Sequence, residues 1–76
     1  MDPEVKKILE APNFRAESSE SEKLIVLMHD HGFGRRGAIA ALLNKVEELE
    51  KHGYRLLGIV QADYLLSYAT LVKVDE

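Results

Sequence analysis

Apolar residues fall into four patterned stretches that divide the chain. Leu24-Ile25-Val26-Leu27-Met28 is an unbroken apolar run. Its alternating sets, Leu24, Val26 and Met28 against Ile25 and Leu27, make both faces apolar, as in a strand covered on two sides. This predicts a first strand over Lys23 to His29. Ile39, Leu42, Leu43, Val46 and Leu49 then recur at helical spacing, with Asn44, Lys45, Glu47, Glu48, Glu50 and Lys51 on the other side. The pattern predicts one long helix over Ala38 to His52, with Glu47 and Lys51 four apart in the favourable order and Gly53 as a left-handed cap. Tyr54 to Gln61 reads as a second strand, Leu56 and Val60 opposing Leu57 and Ile59. Gln61-Ala62-Asp63-Tyr64 reads as a turn and Leu65 to Val74 as a third strand. On it, Leu66, Tyr68, Val72 and Val74 oppose Leu65, Ala69 and Leu71.

The N-terminal stretch is more polar. Asp2 is a good N-cap and Pro3 a good first helical residue. Val5, Ile8 and Leu9 share a face, so a short helix is expected from Pro3 to Ala11. Asn13 to Ala16 reads as an irregular connection anchored by Phe14. Glu17-Ser18-Ser19-Glu20-Ser21-Glu22 holds no apolar residue and reads as an acidic mobile linker. Residues 1–22 are thus taken as helix plus linker, and residues 23–76 as the α/β core domain.

Strand, helix and strand in succession call for a right-handed parallel crossover, and the short turn makes the last two strands an antiparallel hairpin. The expected fold is α+β, in the order α-β-α-β-β, with a mixed three-stranded sheet and the long helix on one face. One helix covers only one face, and the N-terminal helix offers too few apolar residues to cover the other. Large exposed apolar faces are rare in monomers. A homo-oligomer is expected, joined sheet on sheet or edge to edge.

Charge narrows the partners. Residues 1–22 carry six acids and three bases, whereas residues 23–76 carry seven of each, so the net −3 belongs to the N-terminal arm. A neutral body without a basic stripe argues against duplex nucleic acid. The chain has no cysteine, hence no disulfide and no thiolate metal site. No segment reaches the ~20 apolar residues of a membrane span, and Met1-Asp2-Pro3-Glu4 is unlike a signal peptide. A cytoplasmic protein that does not engage membranes is expected.

The chemistry concentrates between the first strand and the helix, in Gly32-Phe33-Gly34-Arg35-Arg36-Gly37. A glycine-rich strand-to-helix turn leaves backbone N–H groups free where the helix dipole favours an anion. Gly34 and Gly37 allow close approach, and Arg35 and Arg36 can pair with phosphate or carboxylate oxygens. The letters match G-x-G-x-x-G, but arginine inside the turn, no P-loop lysine, the late position of Asp63 and the short chain depart from a dinucleotide fold. The plain alternative is a tight turn with solvated arginines. His31 and, by stacking, Phe33 and Tyr64 complete the candidate ligand-binding set. His29 and His31 alternate on a strand and are candidate metal ligands, with Asp30 or His52 as neighbours. Ser67 and Thr70 stand mid-strand with no base at readable spacing, so no catalytic residue is assigned.

Leu42-Leu43-Asn44, Glu48-Leu49, Gly53-Tyr54-Arg55-Leu56-Leu57-Gly58-Ile59-Val60 and Ala69-Thr70-Leu71-Val72-Lys73 resemble a family of short uncharacterised bacterial α/β proteins, a domain of unknown function. Its pattern is an amphipathic helix, Gly-Trp leading an apolar strand, and a hairpin ending in an Ala/Thr-rich strand and a basic residue. Tyr54 stands where that family has tryptophan. The resemblance covers residues 42–73 and implies a small α/β fold, often oligomeric, and no catalytic residue.

Three functions follow. The first is a non-enzymatic oligomeric protein that holds an anionic or phosphorylated small ligand, such as a nucleotide, at the turn, with no cofactor. The second is a protein–protein interaction or regulatory module using the exposed sheet and acidic arm. The third is a metal-dependent enzyme built on His29 and His31.

Overall fold

A computed structural model describes residues 2–30, 35–63 and 66–74, with the main chain alone at Asp30, Arg35, Arg36, Ala38, Ala62 and Asp63. The elements are α1 (Pro3–Leu9), β1 (Phe14–Ser18), β2 (Leu24–Asp30), α2 (Arg35–Glu50), β3 (Tyr54–Asp63) and β4 (Leu66–Lys73). The fold is α+β, as the patterning predicts. The sheet, however, has four strands in the order β1-β2-β4-β3, and every neighbouring pair is antiparallel. The expected mixed, three-stranded sheet is corrected on both counts.

The additional strand is β1, expected as an irregular connection. Phe14 and Ala16 are half-buried while Arg15 and Glu17 are exposed. Two apolar positions suffice for an edge strand, and such a short alternation hardly stands out in sequence. Glu17 and Ser18, expected in a mobile linker, belong to this strand, and Ser19 to Lys23 close a β1–β2 hairpin. The Ser19 N–H donates to the Leu24 carbonyl at 2.9 Å, the Glu22 N–H to the Ser19 carbonyl at 2.9 Å, and the Leu24 N–H to Ser19 Oγ at 3.2 Å. Serine serves here as a local backbone acceptor.

The other correction concerns β4. It pairs with β2 on one side and β3 on the other, so β2 and β3 run in the same direction without touching. The crossover joins parallel strands, but they are not adjacent. Charge and irregularity explain the placing. Arg15 and Glu17 lie on β1, and Arg55 and two register shifts lie on β3. Charges and bulges belong on edges, which leaves the smoothly apolar β2 and β4 for the middle.

Both helices cover the same face. Asp2 caps α1, its side chain accepting from the Glu4 N–H at 2.8 Å, with Pro3 at the first helical position. The helix stops at Leu9 and presents Val5 and Leu9 to the core. α2 starts at Arg35 rather than Ala38 and has 16 residues, close to ordinary helix length rather than long. It ends as expected: the Gly53 N–H donates to the Glu50 carbonyl at 3.2 Å, and Gly53 adopts φ 89. Leu42, Val46 and Leu49 are buried against Ile25, Leu27, Ala69, Leu71 and Tyr54. Leu43, placed in the apolar stripe by spacing, is 47% exposed.

β3 departs from strict alternation. Leu56 pairs with Leu71 and Gly58 with Thr70, so Leu57 is the extra residue of a β-bulge. Leu56 and Ile59 consequently both pack against the core, while Leu57 and Val60 are exposed. The expected grouping of Leu56 with Val60 is wrong for this reason, since one extra residue reverses the side of all that follow. A second shift lies between Gln61 and Asp63, and β3 runs through Asp63, where a turn was expected.

Candidate functional site

The sheet has one helix-covered face and one open face. On β4, Ser67, Ala69 and Leu71 are buried, whereas Leu66, Tyr68, Thr70 and Val72 are only partly so. Pairing registers carry that division across the sheet. Leu24, Val72 and Arg55 form one row of the open face; Glu17, Val26, Thr70 and Gly58 the next; Arg15, Met28, Tyr68 and Val60 the third. Leu24, Val60 and Leu57 are 43, 49 and 56% exposed. An apolar patch therefore occupies the middle of the face, bordered on the β1 side by Arg15 and Glu17 and at one corner of β3 by Arg55. The burial problem posed by the sequence is real: neither helix touches this side.

The glycine-arginine turn is only partly within view. His31, Gly32, Phe33 and Gly34, with Tyr64, lie outside the described residues, as do the side chains of Arg35 and Arg36. The main chain places Arg35, Arg36 and Gly37 in the first turn of α2, not ahead of it, and that turn contains no acidic residue. Gly37 is exposed, and among the described residues nothing outside its own stretch of helix stands within 4 Å of where a Cβ would be.

His29 and His52 stand apart. His29 is half-buried on the helix-covered face, its ring edge-on to Phe14 at 4.7 Å between centroids. His52, raised as a possible co-ligand, lies at the other end of the molecule. Its Nε2 is 3.6 Å from Glu4 Oε2, and Tyr54, two residues on, pairs with Lys73, whereas His29 pairs with Ser67. Ser67 and Lys73 stand six positions apart on β4, about 20 Å of strand. Among the described residues no three His, Cys, Asp or Glu side chains are grouped to hold a metal ion. Ser67 does face a base across the sheet, His29, which the sequence spacing could not reveal. Ser67 is fully buried, whereas His29 is half-buried.

Tyr54 is fixed from three sides. It is 5% exposed, its hydroxyl donates to the Glu22 carbonyl at 3.2 Å, and the Lys73 ammonium stands 5.6 Å from its ring centroid. Burial, then the charges of Glu22 and Asp2, push the phenol pKa above its usual 10.0. A groove of about 340 Å³ runs between α1 and β1, lined in part by Lys6, Leu9, Glu10 and Phe14. No helix among the described residues is long and apolar enough to cross a membrane.

Fold and surface together define a small α+β domain with a one-sided core and an open apolar sheet face. No protein-family model, curated protein or solved structure matches the chain.

Proposed function

We propose that the chain is a non-enzymatic interaction module whose working surface is the open sheet face. The observation that carries this reading is the apolar centre formed by Val26, Met28, Tyr68, Val72 and Val60 on the side of the sheet away from the core, Val60 exposed and the other four half-buried. A face of this kind costs solubility unless a partner uses it. Its border of Arg15, Glu17 and Arg55 supplies the polar rim typical of a protein interface. Photo-crosslinking tests the reading: a photoreactive phenylalanine analogue is placed at Val60 or, as a control, at Glu47 on the outer side of α2. A discrete adduct in cells from position 60 and none from position 47 is expected. Absence of any adduct from position 60 overturns the proposal.

A second reading, anion binding at the start of α2, is favoured by Arg35 and Arg36 in a first turn that lacks any acid. Helix starts ordinarily carry acids, because the dipole is positive there. Two bases instead leave that potential uncompensated and suited to phosphate or a nucleotide. Inorganic phosphate and ATP are expected to raise the melting temperature of the chain, and the Arg35→Ala/Arg36→Ala double variant to abolish the rise. Equal response by both chains removes this reading.

A further inference from the structure

We infer that the occupant of the open face is a second copy of this chain, packed sheet on sheet about a twofold axis. The inference rests on the interaction reading and names its partner. Area is the first argument. Four strands spaced about 4.8 Å and seven residues rising about 3.3 Å each span roughly 450 Å² in projection. Two faces give about 900 Å² before side-chain relief is counted, near the ~1,000 Å² of a specific interface.

Charge is the second argument, and it selects a copy of the chain over an arbitrary partner. Arg15 and Glu17 lie two residues apart on β1, both exposed, both on the open side, opposite Met28 and Val26. A patch whose border carries one base and one acid in succession is its own complement. When a twofold axis crosses the strands between the Val26 and Met28 rows, β1 lies over β1 of the other copy. Arg15 of each chain then meets Glu17 of the other, two pairs for one interface, as an isologous contact requires. The same axis sets Val26 against Met28 and Thr70 against Tyr68 in the centre. The Lys45–Glu48 ion pair lies on α2, and the His52–Glu4 contact joins the turn after α2 to α1.

The test is sedimentation equilibrium on the intact chain with its charge variants. Because Arg15 and Glu17 are exposed, their exchange leaves the core untouched, and circular dichroism verifies the fold of each variant. The expected wild-type mass is twice the 8.6 kDa of the chain. Arg15→Glu and Glu17→Arg, which each oppose like charges across the axis, are expected to weaken association about tenfold or more. The double exchange Arg15→Glu/Glu17→Arg is expected to restore it, which only a partner carrying the same two substitutions can do. A monomer at about 100 µM, or a double variant as weak as the single ones, overturns the inference. A discrete Val60 adduct of another mass, from a chain that sediments as a monomer, leaves the interaction module standing and removes the second copy. A dimer with no Val60 adduct removes both.

Discussion

Tyr54 shows how one side chain ties distant segments together. Its ring closes the core end of β3, and its hydroxyl reaches the β1–β2 hairpin at Glu22, 32 residues away in sequence. Removing that hydroxyl in Tyr54→Phe is expected to cost about 1 kcal/mol near neutral pH. The pH dependence has a definite sign. The phenol pKa is raised in the folded chain, first by burial and then by Glu22 and Asp2, so folding favours the neutral form. That contribution is complete below pH 10 and declines as pH climbs through the raised value. The wild type is therefore expected to lose stability above pH 10 more steeply than Tyr54→Phe. Melting curves between pH 7 and 11.5 check this, and parallel curves for the two chains would refute it.

At the level of elements, the bulge in β3 makes a specific claim about chain length. Deleting Leu57 leaves Leu56 opposite Leu71, Gly58 opposite Thr70 and Ile59 opposite Ala69, all pairs already present. The deletion variant is expected to fold, within about 2 kcal/mol of the wild type. Deleting Val26 instead puts Ile25 and Leu27 on opposite faces and is expected to abolish cooperative melting. Circular dichroism melts distinguish the two, and a natively melting Val26 deletion would contradict the register. Gly53→Ala is expected to cost about 1–2 kcal/mol through its positive φ alone, since nothing crowds the added Cβ. These elements also divide into the legible and the hidden. The cap at Asp2, the apolar faces of β2 and the stop at Gly53 are local chemistry and stand plainly in the sequence. β1 does not, because its four alternating residues gain their meaning only from pairing with β2. The side-switch after Leu57 is hidden for the same reason: an extra residue in a strand is defined by its partner. The site was half legible. An uncovered apolar face follows from counting helices, but which residues of β3 line it depends on the bulge.

The whole molecule is a one-sided sandwich with little stability in reserve. A 76-residue chain is worth roughly 4–11 kcal/mol in total by the usual per-residue range. Two adjacent residues of β4 should therefore behave very differently. Leu71 is fully buried beneath the helices and Val72 stands on the open side. Leu71→Ala is expected to lose about 2–5 kcal/mol, a large part of the total, whereas Val72→Thr in the isolated chain is expected to stay within about 0.5 kcal/mol. Urea titrations report both, and comparable losses would mean that the faces are misassigned. β4 also closes the sheet last, because the strand latest in sequence lies between two earlier ones. During synthesis, β2 and β3 wait with vacant inner edges until Leu66 to Lys73 has emerged. The domain is consequently a set of separated ribbons until its final strand docks, and a chain cut short of Leu66 would leave those edges open to pairing with other chains.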